Sequence, residues 1–151
     1  MHFTRPEIDS PLLAELYSHQ VISQSLWNGL PKPEEGTLTE VVRDGADEIN
    51  PATWAYWLVK RHNFVRVPNL RPDQDFHDRL SWPVARELDA AFYGCYPMSI
   101  QRTTAHVVSL RPDVKKLLPE LLRWLNVARI FFFALIPSEL PRWENLQRKS
   151  S

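Results

Sequence analysis

The densest group of chemically able side chains lies between residues 73 and 79. It contains three carboxylates, one imidazole and one guanidinium, from Asp73, Asp75, His77, Asp78 and Arg79. Carboxylates and imidazole bind divalent cations, but this spacing matches no established metal loop and no glycine turns the chain. Because acids are favoured at a helix N-terminus, we interpret the group as the start of a solvated helix and predict no metal site.

A second pair in this region has residue types that can handle a phosphate. Arg71 and His77 lie six residues apart, a spacing that resembles the arginine–histidine pair of the HEPN ribonucleases. In that family the pair sits on a helix at the scissile phosphate, so the resemblance implies a small metal-independent ribonuclease. Pro72 directly follows the arginine and disfavours one helix carrying both residues. We therefore keep this activity as a lesser alternative and assign no catalytic residue.

Three polar side chains in the second half of the chain have the spacing of a strand face. Arg102, Thr104 and His106 alternate at period two within a strand predicted over 100–109, so they project from one side. Together they form a candidate anion-binding site for a phosphate or carboxylate, near the strand end where parallel sheets bind ligands. The alternative is the polar outer face of a half-solvated strand.

Cys95 is the only cysteine, so no internal disulfide can form, which favours a reducing compartment. It falls on an apolar stripe that predicts a helix, and a buried, unreactive thiol is the expectation there. The chain contains no G-x-S-x-G, H-E-x-x-H or C-x-x-C motif. We therefore favour a protein that is not an enzyme and expect no cofactor. The N-terminal residues lack a secretory signal pattern, which predicts a cytoplasmic location.

A helix predicted to begin at Asn50 and Pro51 carries residue types common at protein interfaces. Trp54, Trp57 and Arg61 lie on one stripe of it, and Trp and Arg are the residues most often found as interface hot spots. We predict these three residues as a partner-binding site. The alternative is a core face, because large aromatics at helical spacing are usually buried.

Charge is distributed unevenly along a chain whose formal net charge is zero. Residues 1–50 carry 3 basic and 9 acidic side chains, whereas residues 101–151 carry 9 basic and 4 acidic ones. Either the two ends pack together and cancel, or each forms a charged face that steers a partner. The basic C-terminal third, with Lys115, Lys116, Arg123 and Arg129 near Trp124, is a candidate nucleic-acid surface.

The periodicity of the chain predicts an α-rich α/β fold in a single globular domain over 1–151. Strands are expected near 64–67, 100–109 and 128–136, in a small, mostly parallel sheet covered by helices, with a helical N-terminal third. A helix pattern that starts at Pro112 lies between the last two strands and predicts a parallel strand–helix–strand unit. The apolar run from Ile130 to Ile136 predicts the central strand, covered on both faces. Residues 31–36 read as a polar connector and 147–151 as a frayed tail.

These observations favour a non-catalytic protein-binding module, such as an adaptor, an inhibitor or an immunity-type protein. Its partner is expected to be another protein, bound through the Trp/Arg helix or through an acidic N-terminal surface. Nucleic-acid binding by the C-terminal third is the main alternative. We expect no membrane association, and homo-oligomerisation stays open.

Overall fold

A computed structural model of the protein describes residues 10–22, 42, 49–67, 70–71 and 93–144. These residues form an α/β arrangement of helices around a small mixed sheet. The α-helices are α1 (Ser10–Ser18), α2 (Pro51–His62) and α3 (Leu118–Leu125), and the strands are β1 (Cys95–Gln101), β2 (Thr104–Ser109) and β3 (Arg129–Ala134). Two 3-10 helices span Pro112–Leu117 and Pro137–Glu139.

Several sequence predictions fall outside the described residues. They are the polar connector at 31–36, the frayed tail at 147–151 and the group of charged residues at 73–79, which includes His77. The interpretations of that group as a metal site or a ribonuclease site therefore stay sequence predictions. No helix in the described part of the chain is long and apolar enough to cross a membrane.

Helix α2 begins where the sequence predicts, at Asn50 and Pro51. The Asn50 side-chain oxygen accepts hydrogen bonds from the backbone N–H groups of Ala52 at 2.9 Å and Thr53 at 3.2 Å. These bonds satisfy two of the free donors at the helix start. Asn63 ends the helix in the left-handed conformation, with φ 58°. The N-cap prediction is therefore confirmed.

The strand order is β1-β2-β3, with β1 antiparallel to β2 and β2 parallel to β3. The single strand predicted over 100–109 is instead a hairpin, whose two-residue turn is Arg102 and Thr103. Arg102 has φ 58°, a conformation that glycine or asparagine usually supplies in such turns. Because neither residue type is present, the sequence carried no turn signal. The sheet is therefore mixed rather than mostly parallel.

The edge strand β1 begins at Cys95, where the sequence predicts the last turn of a helix. The side chain of Cys95 is fully buried, which confirms the expected burial although the element differs. Burial raises the pKa of the Cys95 thiol to about 12. Among the described residues β1 is an edge strand; it contains Pro97, which pairs with Val107, and its register with β2 shifts between Pro97 and Ser99. Both features protect an edge strand from pairing with other chains.

The connection from β2 to β3 confirms the predicted strand–helix–strand unit. A 3-10 helix leads into α3, and Pro119 lies in the first turn of α3, where its missing N–H costs no hydrogen bond. Asn126 ends α3 in the left-handed conformation, with φ 54°. The two parallel strands then pair in register from Thr104 opposite Arg129 to Ser109 opposite Ala134.

The strand predicted at 64–67 is reduced to a single bridge, in which Val65 lies parallel to Phe133. The Val65 N–H donates to the Phe132 carbonyl at 2.9 Å, and the Ala134 N–H donates to the Val65 carbonyl at 2.8 Å. Pairing does not extend to Asn63, the next residue that would face β3, because Asn63 ends α2 in the left-handed conformation and its carbonyl lies 3.4 Å from Lys115 Nζ. The outer side of β3 is therefore paired at one position only among the described residues.

The central strand is β2, not the predicted apolar strand β3. On one face of the sheet, Ala105, Val107, Phe132 and Ala134 are buried. The opposite face is different, because Phe131 remains 43% exposed. The expectation that β3 is covered on both faces is therefore wrong at Phe131. All residues from Ile130 to Ala134 are apolar, so the sequence of β3 does not show which side chains are buried and which are accessible.

Replacement of Gly94 by alanine tests the turn that precedes β1. Gly94 has φ 56°, and a Cβ added there would lie 2.8 Å from the Leu110 Cβ. Because both backbone conformation and space oppose a side chain, we expect Gly94→Ala to lower the free energy of unfolding by about 1–3 kcal/mol. Urea unfolding measures this loss.

Asn126→Gly is the matched control, since it places glycine at another left-handed position. We expect the control to change the free energy of unfolding by less than about 1 kcal/mol. Equal stability of Gly94→Ala and the wild type would contradict the described turn.

Candidate binding surface

The structure separates the three residues of the predicted partner-binding helix. Trp54 and Trp57 are 0% and 2% exposed, and their rings pack edge to face with centroids 5.3 Å apart. Arg61 is exposed. The two tryptophans therefore form core, the alternative that the sequence also allowed, and they are closed to a partner in this conformation. Only Arg61 of this predicted site is accessible.

A carboxylate on α1 explains why Trp57 is buried with its N–H group satisfied. Glu15 Oε1 accepts a hydrogen bond from Trp57 Nε1 at 2.8 Å and also lies 2.8 Å from His62 Nε2. The rings of Trp57 and His62 meet edge to face, with centroids 5.1 Å apart. One carboxylate thus ties α1 to two positions of α2, and we name Glu15, Trp57 and His62 the helix clamp.

The helix clamp also sets the ionisation of Glu15. Partial burial raises the pKa of Glu15. Hydrogen bonds from Trp57 and His62 and the charges of His62 and His19 lower the pKa, and their combined effect is larger than that of burial. The net pKa of Glu15 lies below its ordinary value of 4.5. The ionised carboxylate is therefore the form that holds the two helices together.

The accessible side of the sheet carries a continuous group of aromatic and polar side chains. The register places His106 opposite Phe131 and Val65 opposite Phe133, so their side chains share a face with Arg129. We name these five residues the open face. Phe131 is 43% and Val65 41% exposed. Large apolar side chains exposed together are typical of surfaces that bind a partner.

Contacts within the open face hold its side chains in fixed orientations. The His106 ring stacks on Phe131 with centroids 5.9 Å apart, and it meets Phe133 edge to face at 5.6 Å. The Arg129 guanidinium lies over the Phe131 ring, 5.9 Å from its centroid. Ser99 Oγ lies 3.1 Å from His106 Nδ1 and orients the imidazole from the neighbouring strand. Preorganised side chains lose little entropy when a partner binds.

One end of this side of the sheet is already covered. Trp143, in the helical segment after the second 3-10 helix, stacks on Tyr96 with ring centroids 6.3 Å apart. Tyr96 pairs with Val108, and all three side chains are fully buried. Trp143 therefore covers the sheet at Tyr96 and Val108, and the open face lies beyond this covered part.

The sheet contains no acidic residue in any of its three strands or in the hairpin turn. Arg102 in the turn and Arg129 at the start of β3 are its two arginine side chains, and both are exposed. A surface with cations and no carboxylates favours an acidic partner.

The predicted anion-binding residues are only partly brought together. Thr104 and His106 share the face of β2 that carries the open face, and Thr104 lies opposite Arg129. Arg102 belongs to the turn and not to the strand, so its side chain does not follow the period-two pattern. Sequence reasoning missed Arg129 and Phe131 as neighbours of His106, because only the parallel register of two distant segments places them together.

The predicted basic patch is divided in a similar way. Lys115 Nζ donates to the backbone carbonyls of His62 and Asn63 and lies 5.1 Å from the centroid of the Phe64 ring. Burial lowers the pKa of Lys115. Lys115 therefore binds the C-terminal end of α2, where a cation is favoured, whereas Lys116, Arg123 and Arg129 are exposed.

Comparisons with known proteins do not assign a family. No protein-family model matches the chain, and no curated protein matches it. One solved structure that matches is described as "Structure of MshE with cdg", and the alignment covers 95% of this chain and 99% of that chain. The sequence identity is 12% and the TM-score is 0.49. An alignment at these values assigns neither a family nor a ligand to the chain.

Replacement of Glu15 by glutamine tests the helix clamp through its pH dependence. The folded-state pKa of Glu15 is lowered, so its ionised form adds stability above the unfolded-state pKa, and this contribution is lost as pH falls through the folded-state pKa. We expect Glu15→Gln to be less stable than the wild type near neutral pH, and the difference to shrink towards about pH 3. Urea unfolding across this range measures the difference.

Lys116→Gln is the control for a change of charge alone, because Lys116 is exposed. Its stability difference from the wild type should stay nearly constant over the same pH range. A pH-independent difference for Glu15→Gln would contradict the clamp.

Proposed function

We propose that the protein is a non-catalytic protein-binding module that takes an acidic segment of a partner protein on the open face. The single observation that carries the proposal is an accessible aromatic side chain, Phe131, held between Arg129 and His106 on a sheet without carboxylates. This arrangement offers an apolar anchor with positive charge directly beside it. The partner could be a protein recruited by an adaptor or an enzyme blocked by an inhibitor. In each case the partner would present an acidic segment to the open face.

The chemistry of the open face supports this proposal at the level of binding energy. Aromatic residues and arginine are the types that most often dominate the energy of protein interfaces. Phe131 supplies apolar area to be buried, and its contacts with His106 and Arg129 fix its orientation before binding. The cation adds selectivity for acidic over basic segments more than it adds raw affinity.

The other two surfaces that the sequence suggested contribute less to the proposal. Burial of Trp54 and Trp57 leaves Arg61 as the accessible residue among the three predicted on this helix. The acidic N-terminal surface lies mostly outside the described residues and stays a sequence prediction. The open face is therefore the surface on which the proposal rests.

A single-stranded nucleic acid is the second candidate partner. Aromatic side chains on a sheet face are a common platform for stacking unpaired bases, and His106 and Phe131 lie side by side with Arg129. The protein partner is favoured because Lys115 binds carbonyl groups of α2 instead of joining a basic track for phosphates. The two candidates differ in how strongly binding depends on salt.

Two matched peptides test the proposal. The Glu peptide has about eight residues and alternates glutamate with valine and phenylalanine, and the Lys peptide replaces every glutamate by lysine. We expect the Glu peptide to bind the wild-type protein at least about tenfold more tightly than the Lys peptide. Fluorescence anisotropy with labelled peptides measures both affinities, and labelled oligouridine is measured alongside.

Phe131→Ser removes the anchor, and Tyr56→Ser is the control because Tyr56 is an exposed aromatic residue on α2. We expect Phe131→Ser to weaken the Glu peptide by about tenfold and the control to leave its affinity unchanged. Equal binding of both peptides, or an unchanged affinity of Phe131→Ser, would overturn the proposal. Tight, strongly salt-dependent binding of oligouridine would favour the nucleic-acid candidate instead.

A further inference from the structure

We infer that the acidic segment binds as an added strand along the free outer edge of β3, next to the open face. This inference rests on the proposed function and specifies how the partner binds. An extended peptide that joins a sheet edge gains affinity from backbone hydrogen bonds and selectivity from alternate side chains. Unpaired backbone groups and the side chains of the open face lie next to each other at the start of β3.

The direction of the backbone groups of β3 follows from the hydrogen bonds at its two ends. The Arg129 N–H donates to the Thr103 carbonyl at 3.2 Å, and the Leu135 N–H donates to the Ser109 carbonyl at 3.0 Å. Odd-numbered residues of β3 therefore direct their N–H and C=O groups towards β2. Even-numbered residues direct theirs to the outer edge, where Val65 binds Phe132 and Ala134.

Three backbone groups of the outer edge have no partner among the described residues. They are the N–H and C=O groups of Ile130 and the N–H group of Phe132, which point to the same side as the bonds to Val65. We name these three groups the free edge. A row of unpaired strand groups is a template for another chain.

The free edge exists because the chain before Val65 turns away from the sheet. The carbonyl of Asn63, which would be next in line to accept from the Phe132 N–H, lies 3.4 Å from Lys115 Nζ instead. Asn63 is in the left-handed conformation, and the Phe64 N–H bonds to α2. Within the described part of the chain, pairing thus stops after one bridge, and the backbone groups of Ile130 stay without a partner.

The two edges of the sheet differ in the features that oppose pairing with another chain. The β1 edge contains Pro97 and a pairing irregularity, whereas the outer edge of β3 has neither. A second copy of this chain is a poor occupant, because pairing two β3 edges would bring Arg129 near its own equivalent with no carboxylate in either strand. An acidic segment instead places carboxylates beside Arg129 and apolar side chains against Phe131.

Amide hydrogen exchange measured by NMR tests this mode of binding with the Glu peptide as the probe. The amides of Ile130 and Phe132 face outward and should exchange fast in the free protein. In the complex we expect their exchange to slow by at least about tenfold. The amide of Phe131 is the internal control, since it faces β2 and should keep the same exchange rate.

Two N-methylated forms of the Glu peptide provide an independent measurement. One carries methyl groups on every odd amide and the other on every even amide, so each blocks one edge of the bound strand. We expect one form to lose binding at least about tenfold and the other to bind like the parent peptide.

The outcomes separate the inference from the proposed function. Binding of the Glu peptide with unchanged exchange at Ile130 and Phe132, or with equal affinities of the two methylated forms, overturns strand addition and leaves the proposed function standing. Absence of any binding of the Glu peptide overturns both.

Discussion

The in-register parallel pairing of β2 with β3 is the constraint on which the rest of the structure depends. It joins two segments that lie 25 positions apart in the chain, from Thr104 opposite Arg129 onwards. Because side chains alternate between the two faces of a strand, this register decides which residues are buried with the helices and which stay accessible. A shift by one position would bury Arg129 and Phe131 and expose Phe132 and Ala134.

The helices make the face opposite the open face unavailable. Trp57 is buried in the core, and the helix clamp satisfies its N–H group with the Glu15 carboxylate. Lys115 binds the last carbonyls of α2, directly before the chain reaches Val65. Both polar contacts reach the C-terminal end of α2, at His62, and they fix where the chain approaches the outer edge of β3.

Local signals in the sequence were sufficient for the elements that depend on neighbouring residues. The Asn50 cap of α2 and the strand–helix–strand unit around α3 were predicted correctly, because capping residues and helical periodicity act within a few positions. Burial of Cys95 was also predicted correctly, since an apolar surrounding is visible in either type of element. The hairpin was not, because Arg102 adopts a turn conformation that its residue type does not indicate.

The candidate site was harder to predict, because it depends on contacts between distant segments. Tryptophans in a helix are compatible with both core and interface, and only the packed structure assigns Trp54 and Trp57 to the core. His106 was identified from its spacing in β2, but its neighbours Phe131 and Arg129 come from another strand. Their apolar surroundings in the sequence, from Ile130 to Ile136, indicated a fully covered strand.

A charge exchange at Arg129 tests the open face as an acid-selective binding surface most directly. In the Arg129→Glu protein, the carboxylate replaces the cation beside Phe131, while the backbone of the free edge is unchanged. We predict that this variant reverses the selectivity, so that the Lys peptide binds more tightly than the Glu peptide by about tenfold. If Arg129→Glu retains the selectivity of the wild type, the open face is not the surface that recognises the acidic segment.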